Sequence, residues 1–350
     1  MRIAVDVMGG DHGCGVVIAG AKLALESAAK ISEVFLVGPE QEIKSALAKK
    51  NWNDPRLRII HASEVLTMDD KPLDVLRKKK NCSMAKAIAL VKNKEADAII
   101  SPGNTGGLFA ASTVLLRPIE GVKRAAIATI IPTPKNEFIL IDAGANVECK
   151  PIHLAQFAVM GRVYSRDILG YKKPRVGLLS NGTEDSKGNA LTLEAFRLCK
   201  KINLDFIGNV EGHDLFENKV EVVVCDGFIG NIVLKTIESF ALGMGRWLKS
   251  ELSKNPKRML GAFLAQNALR TIKRRMNPET YGGAPLLGLN GNVMKAHGSA
   301  NERSIMNAIR IATESVQQQI SQTIRAEIEQ ANAALPAESF ADTPEHEREI

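Results

Sequence analysis

Six short segments in the 350-residue chain combine glycine with Asn, Asp, Ser or Thr, and each follows an apolar run. They are residues 6–13 (DVMGGDHG), 101–107 (SPGNTGG), 142–146 (DAGAN), 180–183 (SNGT), 208–212 (GNVEG) and 226–231 (DGFIGN). Glycine lets a backbone approach a ligand closely, Asn, Ser and Thr offer hydrogen bonds, and the N-terminus of a following helix offers free N–H groups to an anion. The chemistry these residues suit is the capture of a phosphate-like group. The same residue types also serve as plain turn and cap residues, and for any single segment the two readings compete.

Named phosphate motifs do not match. The first strand is not followed by G-x-G-x-x-G. Residues 182–188 (GTEDSKG) resemble a P-loop in composition, but Lys and Gly are in the wrong order and no Ser or Thr follows them. A G-x-S-x-G elbow is missing too, so a serine hydrolase has no anchor. A metal site built from Asp6, Asp11 and His12 has no recognisable ligand spacing, and we expect neither metal nor cofactor.

The elements that would position these segments alternate. Strand-like runs fall at 2–7, 34–37, 57–60, 98–100, 125–130, 138–141, 175–179, 205–207 and 221–225. Helical patterns follow most of them, as at 16–29, 108–116, 154–169 and 191–200. Continuous Val- and Ile-rich runs are the mark of buried parallel strands, and the alternation predicts a doubly wound, mostly parallel α/β sheet with a helical insertion. In such a sheet the six segments would meet at one edge. Residues 98–116 carry no charge, but 101–107 break them into strand, turn and helix rather than a membrane span.

Further on, 232–275 reads as a long helical stretch interrupted near Asn255-Pro256, 281–298 as a Gly-rich segment with a short hairpin, and 302–330 as one long helix. Residues 1–335 are expected to form a single α/β/α domain and 336–350 a disordered tail. The N-terminus begins directly with a strand and lacks a signal-peptide core. Five cysteines, none in a C-x-x-C pair, fit a reducing compartment.

The net charge is +7 and the pI about 9.1, which points to an acidic partner. Aromatic residues make up only 5% of the chain, leaving few platforms for nucleic-acid bases. The charge is concentrated: residues 249–275 hold eight Lys or Arg against one acid, Glu251, an excess equal to that of the whole chain. Met259, Leu260, Phe263, Leu264, Ala268, Leu269, Ile272 and Met276 recur there at helical spacing. An apolar stripe flanked by Lys257, Arg258, Arg270, Lys273 and Arg274 suits a membrane surface or an acidic protein. A helix packed on the core or at a dimer interface would look similar.

The motifs taken together resemble one family over about residues 1–325. The matching stretches are 6–11 (DVMGGD), 101–106 (SPGNTG), 141–146 (IDAGAN), 156–161 (QFAVMG), 187–189 (KGN), 206–212 (FIGNVEG), 225–231 (CDGFIGN) and 296–298 (AHG). The chain is similar to the bacterial phosphate acyltransferases of phospholipid synthesis, whose fold is like that of phosphotransacetylases. Cys14 stands where Pro is expected, and residues 181–183 replace a more usual Gly-Glu pattern. The resemblance implies transfer of a long-chain acyl group from acyl carrier protein to inorganic phosphate. It also implies a homodimer, and a cytoplasmic enzyme working at the inner face of the membrane beside a downstream glycerol-phosphate acyltransferase. A phosphotransacetylase acting on short acyl-CoA is the alternative.

That reaction needs positioning and charge stabilisation more than covalent help. Lys187, opening a helix, is the first candidate to meet phosphate or a developing oxyanion; a solvated surface lysine is the rival reading. Asn231 could donate to the thioester oxygen, or simply cap its helix. His297 could act as an acid or be held in a turn. Ser101, Gly103, Asn104, Thr105 and Gly106 form the expected phosphate cradle, with backbone N–H groups as main donors. Asp6, Asp11 and His12 line the first turn. Asp142, Asn146, Asn189, Asp226, Gly227 and Gly230 are expected to shape the cleft.

Overall fold

The computed structural model describes residues 1–28, 30–275 and 282–340. The apolar runs assemble into one eleven-stranded sheet in the order β3-β2-β1-β4-β11-β10-β5-β6-β9-β7-β8. In the first half β1 (Arg2–Asp6), β2 (Glu33–Gly38), β3 (Leu57–His61) and β4 (Ala98–Ser101) run parallel with β11 (Asn292–Lys295). In the second half β6 (Glu137–Ile141), β7 (Val176–Leu179), β8 (Phe206–Val210) and β9 (Val222–Val224) are parallel to one another. Between them lie β10 (Ala284–Leu287), antiparallel to both neighbours, and β5 (Ala126–Pro132), antiparallel to β6. All nine expected strands are present, and the expected hairpin in the Gly-rich segment is β10–β11. Residue 281 of that segment and Met276 lie outside the described residues.

The expectation of one simple edge needs correcting. Ile141 pairs with Ala128 and Ile127 with Leu286, while Lys295 pairs with both Ala284 and Ser101. Followed across the sheet, these registers put the carboxyl ends of β4 and β6 at almost the same height, yet the strands run in opposite directions. The two halves therefore extend away from a shared line in the middle of the sheet, and their carboxyl-terminal turns converge on that line. Of the six segments, 208–212 departs most from a turn, because 208–210 are part of β8.

Helices cover both faces: α1 (Cys14–Ser27), α2 (Glu40–Lys49), α3 (Asp74–Arg77), α4 (Ser83–Lys92), α5 (Thr105–Leu116), α6 (Pro151–Asp167) and α7 (Ala190–Lys201). The inner strands are buried on both faces by these helices, which explains their unbroken apolar character, while the edge strands β3 and β8 stay partly exposed. The long helical stretch becomes α8 (Gly227–Leu252), α9 (Pro256–Leu264) and α10 (Gln266–Arg275), with Pro256 at the first turn of α9 after the Asn255 cap. Of α8 only Gly227 and Gly230 are buried, and nothing in α9 or α10 is.

The single final helix is two, α11 (Glu302–Gln317) and α12 (Ile320–Ala333), broken where Gln319 adopts φ 51° and ψ 42°. The break turns the chain from α1, on which α11 packs with Ile305 against Gly20, to α6, on which α12 packs. A Glu327 carboxylate shared by Arg162 and Arg166 ties α12 to α6. Within the expected tail, Ala337–Phe340 form a short 3-10 helix, and the Phe340 ring lies 5.7 Å from the Lys123 ammonium. Residues 341–350 lie outside the described residues.

Candidate active site

In the first half, the carboxyl ends of three adjacent strands bring Asp6, Ser101 and Lys295 side by side. The Ser101 hydroxyl donates to Asp6 Oδ2 at 2.6 Å and accepts from Gly103 N at 3.1 Å, while Met8 N donates to Asp6 Oδ1 at 3.1 Å. All three side chains are buried, so Asp6 and Ser101 support the turn from below and do not face a ligand. Burial pushes the Asp6 carboxyl up to about 6, against the opposing effect of its hydrogen bonds and of Lys295. A Cβ at Gly103 would stand 2.8 Å from the Met84 methyl, which would have to shift to admit it.

Above this floor, Asn104 caps α5. Its Oδ1 accepts from Gly107 N at 2.9 Å, and its Nδ2 reaches the carbonyls of Met68 and Asp70, both at 3.2 Å. Leu108 N is satisfied by the Asn104 carbonyl. That leaves the N–H groups of Thr105 and Gly106 without a hydrogen-bond partner among the described residues, at the positive end of a twelve-residue helix. Free N–H groups at a helix N-terminus are of the kind that hold anions. Asp11 and His12 are exposed beside it, with Asp11 N held by Gly298 O at 2.8 Å. His297 Nδ1 lies 2.8 Å from Ser299 Oγ, so its ring is tied to the local turn.

In the second half, Asp142 organises the converging loops. Its Oδ1 takes Ile127 N, Gly144 N and Ala145 N at 3.0, 3.2 and 3.0 Å, and its Oδ2 takes Asn146 N and Nδ2 at 2.7 and 2.8 Å. Burial raises its pKa and these bonds act against that rise. Asn146 passes the order on, through Nδ2 to Ala125 O at 2.8 Å and through its carbonyl to Gly227 N at 2.7 Å. Asp226 caps α8 by accepting from Ile229 N at 2.9 Å. Gly230 must be glycine, since a Cβ would lie 1.8 Å from the Asp142 carbonyl oxygen.

Two candidate side chains in this half are not consumed by scaffolding. Asn231, on the first turn of α8 beside Gly144, and Lys187, between β7 and α7, are exposed, and among the described residues their polar groups make no side-chain hydrogen bond or ion pair. Asn189, by contrast, caps α7 in a reciprocal pair with Thr192. Asn209 holds the Lys187 segment from behind by donating to Glu184 O at 2.8 Å. Cys149 packs beside this site, but burial and the neighbouring carboxylates of Asp142 and Asp226 push its thiol up to about 12, so a thiolate nucleophile is excluded near neutral pH. All five cysteines are free.

The halves face each other electrostatically as well. Lys235, one turn beyond Asn231 on α8, lies near enough for its charge to act on Lys295. Lys295 and Asn209 were the residues not singled out from the sequence. Asn209 sat inside a recognised glycine segment, whereas Lys295 had no such signal. The donors of Asp6, Asp11 and His12 do not come together as a metal set; among the described residues the group that does is Glu211, His213 and Asp214, and there Asp214 already pairs with Lys219 at 2.6 Å.

The basic segment stands apart from this cleft. Leu260, Phe263 and Leu264 are 61%, 64% and 76% exposed along α9. Lys257 and Arg258 share their helix; Arg270, Lys273 and Arg274 follow on α10. No helix among the described residues is long and apolar enough to cross a membrane.

Comparison with known proteins follows the same lines. Residues 1–323 match the family described as fatty acid synthesis protein. The phosphate acyltransferase of Pelotomaculum thermopropionicum is 45% identical over 329 residues, covering 94% of this chain and 95% of its own. That of Geobacter sulfurreducens is 44% identical over 329 residues, covering 94% of each. Among solved structures, the EutD phosphotransacetylase of Staphylococcus aureus superposes with a TM-score of 0.58 at 18% identity, covering 90% of this chain and 94% of that one. A phosphotransacetylase of Streptococcus pyogenes gives the same TM-score at 19% identity, covering 91% and 94%. These two share the fold and, at such identity, nothing finer. The relatives at more than 40% identity, the matching family and the fold agree: the chain belongs to the bacterial phosphate acyltransferases, acyl-transferring proteins of fatty acid and lipid synthesis.

Proposed function

We propose that the protein moves a long-chain acyl group from the thioester of acyl carrier protein to inorganic phosphate, releasing acyl phosphate and the free carrier thiol. The observation that carries this reading is the pair of unpartnered N–H groups, Thr105 and Gly106, at the N-terminus of α5 in a chain whose relatives are phosphate acyltransferases. Inorganic phosphate passes from monoanion to dianion around neutral pH, so a large share of it is already the dianionic nucleophile there. Held on the α5 turn, one of its oxygens attacks the thioester carbonyl. The carbonyl π electrons move to oxygen, the C–S bond then breaks, and the sulfur leaves with the electron pair and collects the proton that phosphate gives up.

Lys187 and Asn231 are the free donors on the facing half, and they suit the developing oxyanion. One such donor is worth about 3 kcal/mol in the transition state. Asp142, Asn146, Asp226, Gly227 and Gly230 act through the loop geometry they impose on Asn231.

The α9–α10 arm supplies the partner surface. Its basic flank suits acidic acyl carrier protein or anionic lipid, and its exposed apolar stripe suits a membrane interface. Phe240, Leu242 and Trp247, at 64%, 65% and 70% exposure on α8, suit a second copy of the chain. In this reading the enzyme is a cytoplasmic homodimer resting on the inner face of the membrane, where an acyl phosphate can pass to a glycerol-phosphate acyltransferase.

The test is incubation of purified protein with palmitoyl-acyl carrier protein and phosphate, without added metal, following carrier thiol and acyl phosphate. Phosphate-dependent release of both is expected. Turnover of acetyl-CoA alone would replace this reading with a short-chain phosphotransacetylase.

A further inference from the structure

Lys295 is a lysine at only 8% exposure, in a family reaction that the exposed groups already account for. It sits at the end of β11 directly opposite Ser101 of β4. From there its Nζ donates to the carbonyl of Pro102, at 3.3 Å, and to that of Ala296. It thus joins the first residue of the α5 turn to the start of the 296–298 turn. On the other side of Ser101 stands Asp6, whose Oδ2 lies 3.5 Å from the point a Cβ on Gly103 would occupy. A carboxylate is therefore built into the floor of a turn whose free N–H groups face an incoming anion. Alone, that negative charge would oppose a dianion through a poorly screened interior.

We infer that Lys295 is the positioning residue of the phosphate turn: it neutralises Asp6 beneath the turn and pins the Pro102 carbonyl, so that Thr105 N–H and Gly106 N–H can accept a dianion. This deepens the reading of the α5 turn as the phosphate site and rests on it. The groups that face Lys295 are Asp6 of β1, Asp11 of the turn before α1 and Lys235 of α8, with Ser83 of α4 supporting Asp6 from behind. Burial lowers the Lys295 ammonium to about 8, opposed by Asp6 and Asp11 and assisted by Lys235. The sign follows. Between about 6, where Asp6 ionises, and about 8, Lys295 is charged and the Asp6–Lys295 pair is neutral overall; above about 8 Lys295 loses its proton and Asp6 is left as an uncompensated carboxylate under the bound anion. Phosphate itself is already dianionic there, so a falling limb is not owed to the nucleophile.

The experiment is steady-state kinetics with palmitoyl-acyl carrier protein and varied inorganic phosphate from pH 6 to 9.5, on the wild type, Lys295→Met, Lys295→Arg and Thr105→Pro. The wild type is expected to lose kcat/KM for phosphate above about pH 8. Lys295→Met should raise KM for phosphate roughly tenfold at pH 7 with KM for the acyl donor changed less than about twofold, and Lys295→Arg should move the falling limb upward, since arginine keeps its charge. Thr105→Pro removes one turn donor at a helix position that tolerates proline, and should raise KM for phosphate by itself. If Lys295→Met does not fold, the wild-type profile decides, and a flat profile across pH 7 to 9.5 overturns the inference. Sensitivity to Thr105→Pro with none to Lys295 overturns it and leaves the turn as the phosphate site. Indifference to both removes the turn as the site and the inference with it.

Discussion

At the residue scale, the site separates into groups that hold the scaffold and groups that remain free. Asp142, with five N–H donors on its two oxygens, belongs to the first kind, and Lys187 to the second. Lys187→Ala removes no side-chain hydrogen bond or ion pair among the described residues, so its stability should stay within the range of ordinary surface changes, about 0.5 kcal/mol. Its kcat should fall on the order of 10²–10³-fold if it meets the oxyanion. Circular dichroism melts beside thiol-release rates check both, and near-normal turnover would remove Lys187 from the chemistry. The glycine and Asn segments were legible in the sequence because their residue types are themselves the mechanism, in turns and in caps. Lys295 was not, because a lysine at a strand end reads as solvated, and only the pairing of β11 with β4 buries it.

At the element scale, α8 is aimed by two contacts, the Asp226 cap and the close approach of Gly230 to the Asp142 carbonyl. Asp226→Ala should cost about 1 kcal/mol, the usual worth of such a cap, with activity partly retained. Gly230→Ala must push α8 off the loop that positions Asn231; a loss of about 1–3 kcal/mol or more should accompany a drop in kcat larger than that of the cap variant. Denaturant melts and rates on the two proteins decide whether the approach or the cap sets the catalytic geometry. The strands were readable because apolar runs of Val and Ile need no knowledge of their partners. The division of the last helix was not, because Gln317, Gln318 and Gln319 carry no stop signal, and what bends the chain there is the different docking of α11 on α1 and α12 on α6.

At the scale of the whole molecule, charge and apolar surface leave the globule together along α8–α10. Leu264→Asp, at a position 76% exposed, should leave the melt and the turnover of soluble acyl carrier protein substrate unchanged. Cosedimentation with anionic vesicles should weaken several-fold, and rising salt should weaken that of the wild type. Unaltered cosedimentation would assign the stripe to another surface. Sedimentation equilibrium should show a dimer, and Trp247→Glu should shift it toward monomer. The charge excess was visible in the sequence, but its physical separation from the cleft was not, since periodicity cannot say whether an amphipathic helix is folded back on its own core.

The pairing of β11 between β4 and β10 has a consequence for how the molecule is made. The middle of the sheet is filled by residues 292–295 of a 350-residue chain. A ribosome has to deliver more than four fifths of the polypeptide before β4 and β5 can be joined, and until then each offers an open edge to any other strand nearby. Synthesis stalled before residue 282 should give a product that aggregates and binds no phosphate, although all six glycine segments and every residue of the α5 turn would already be present.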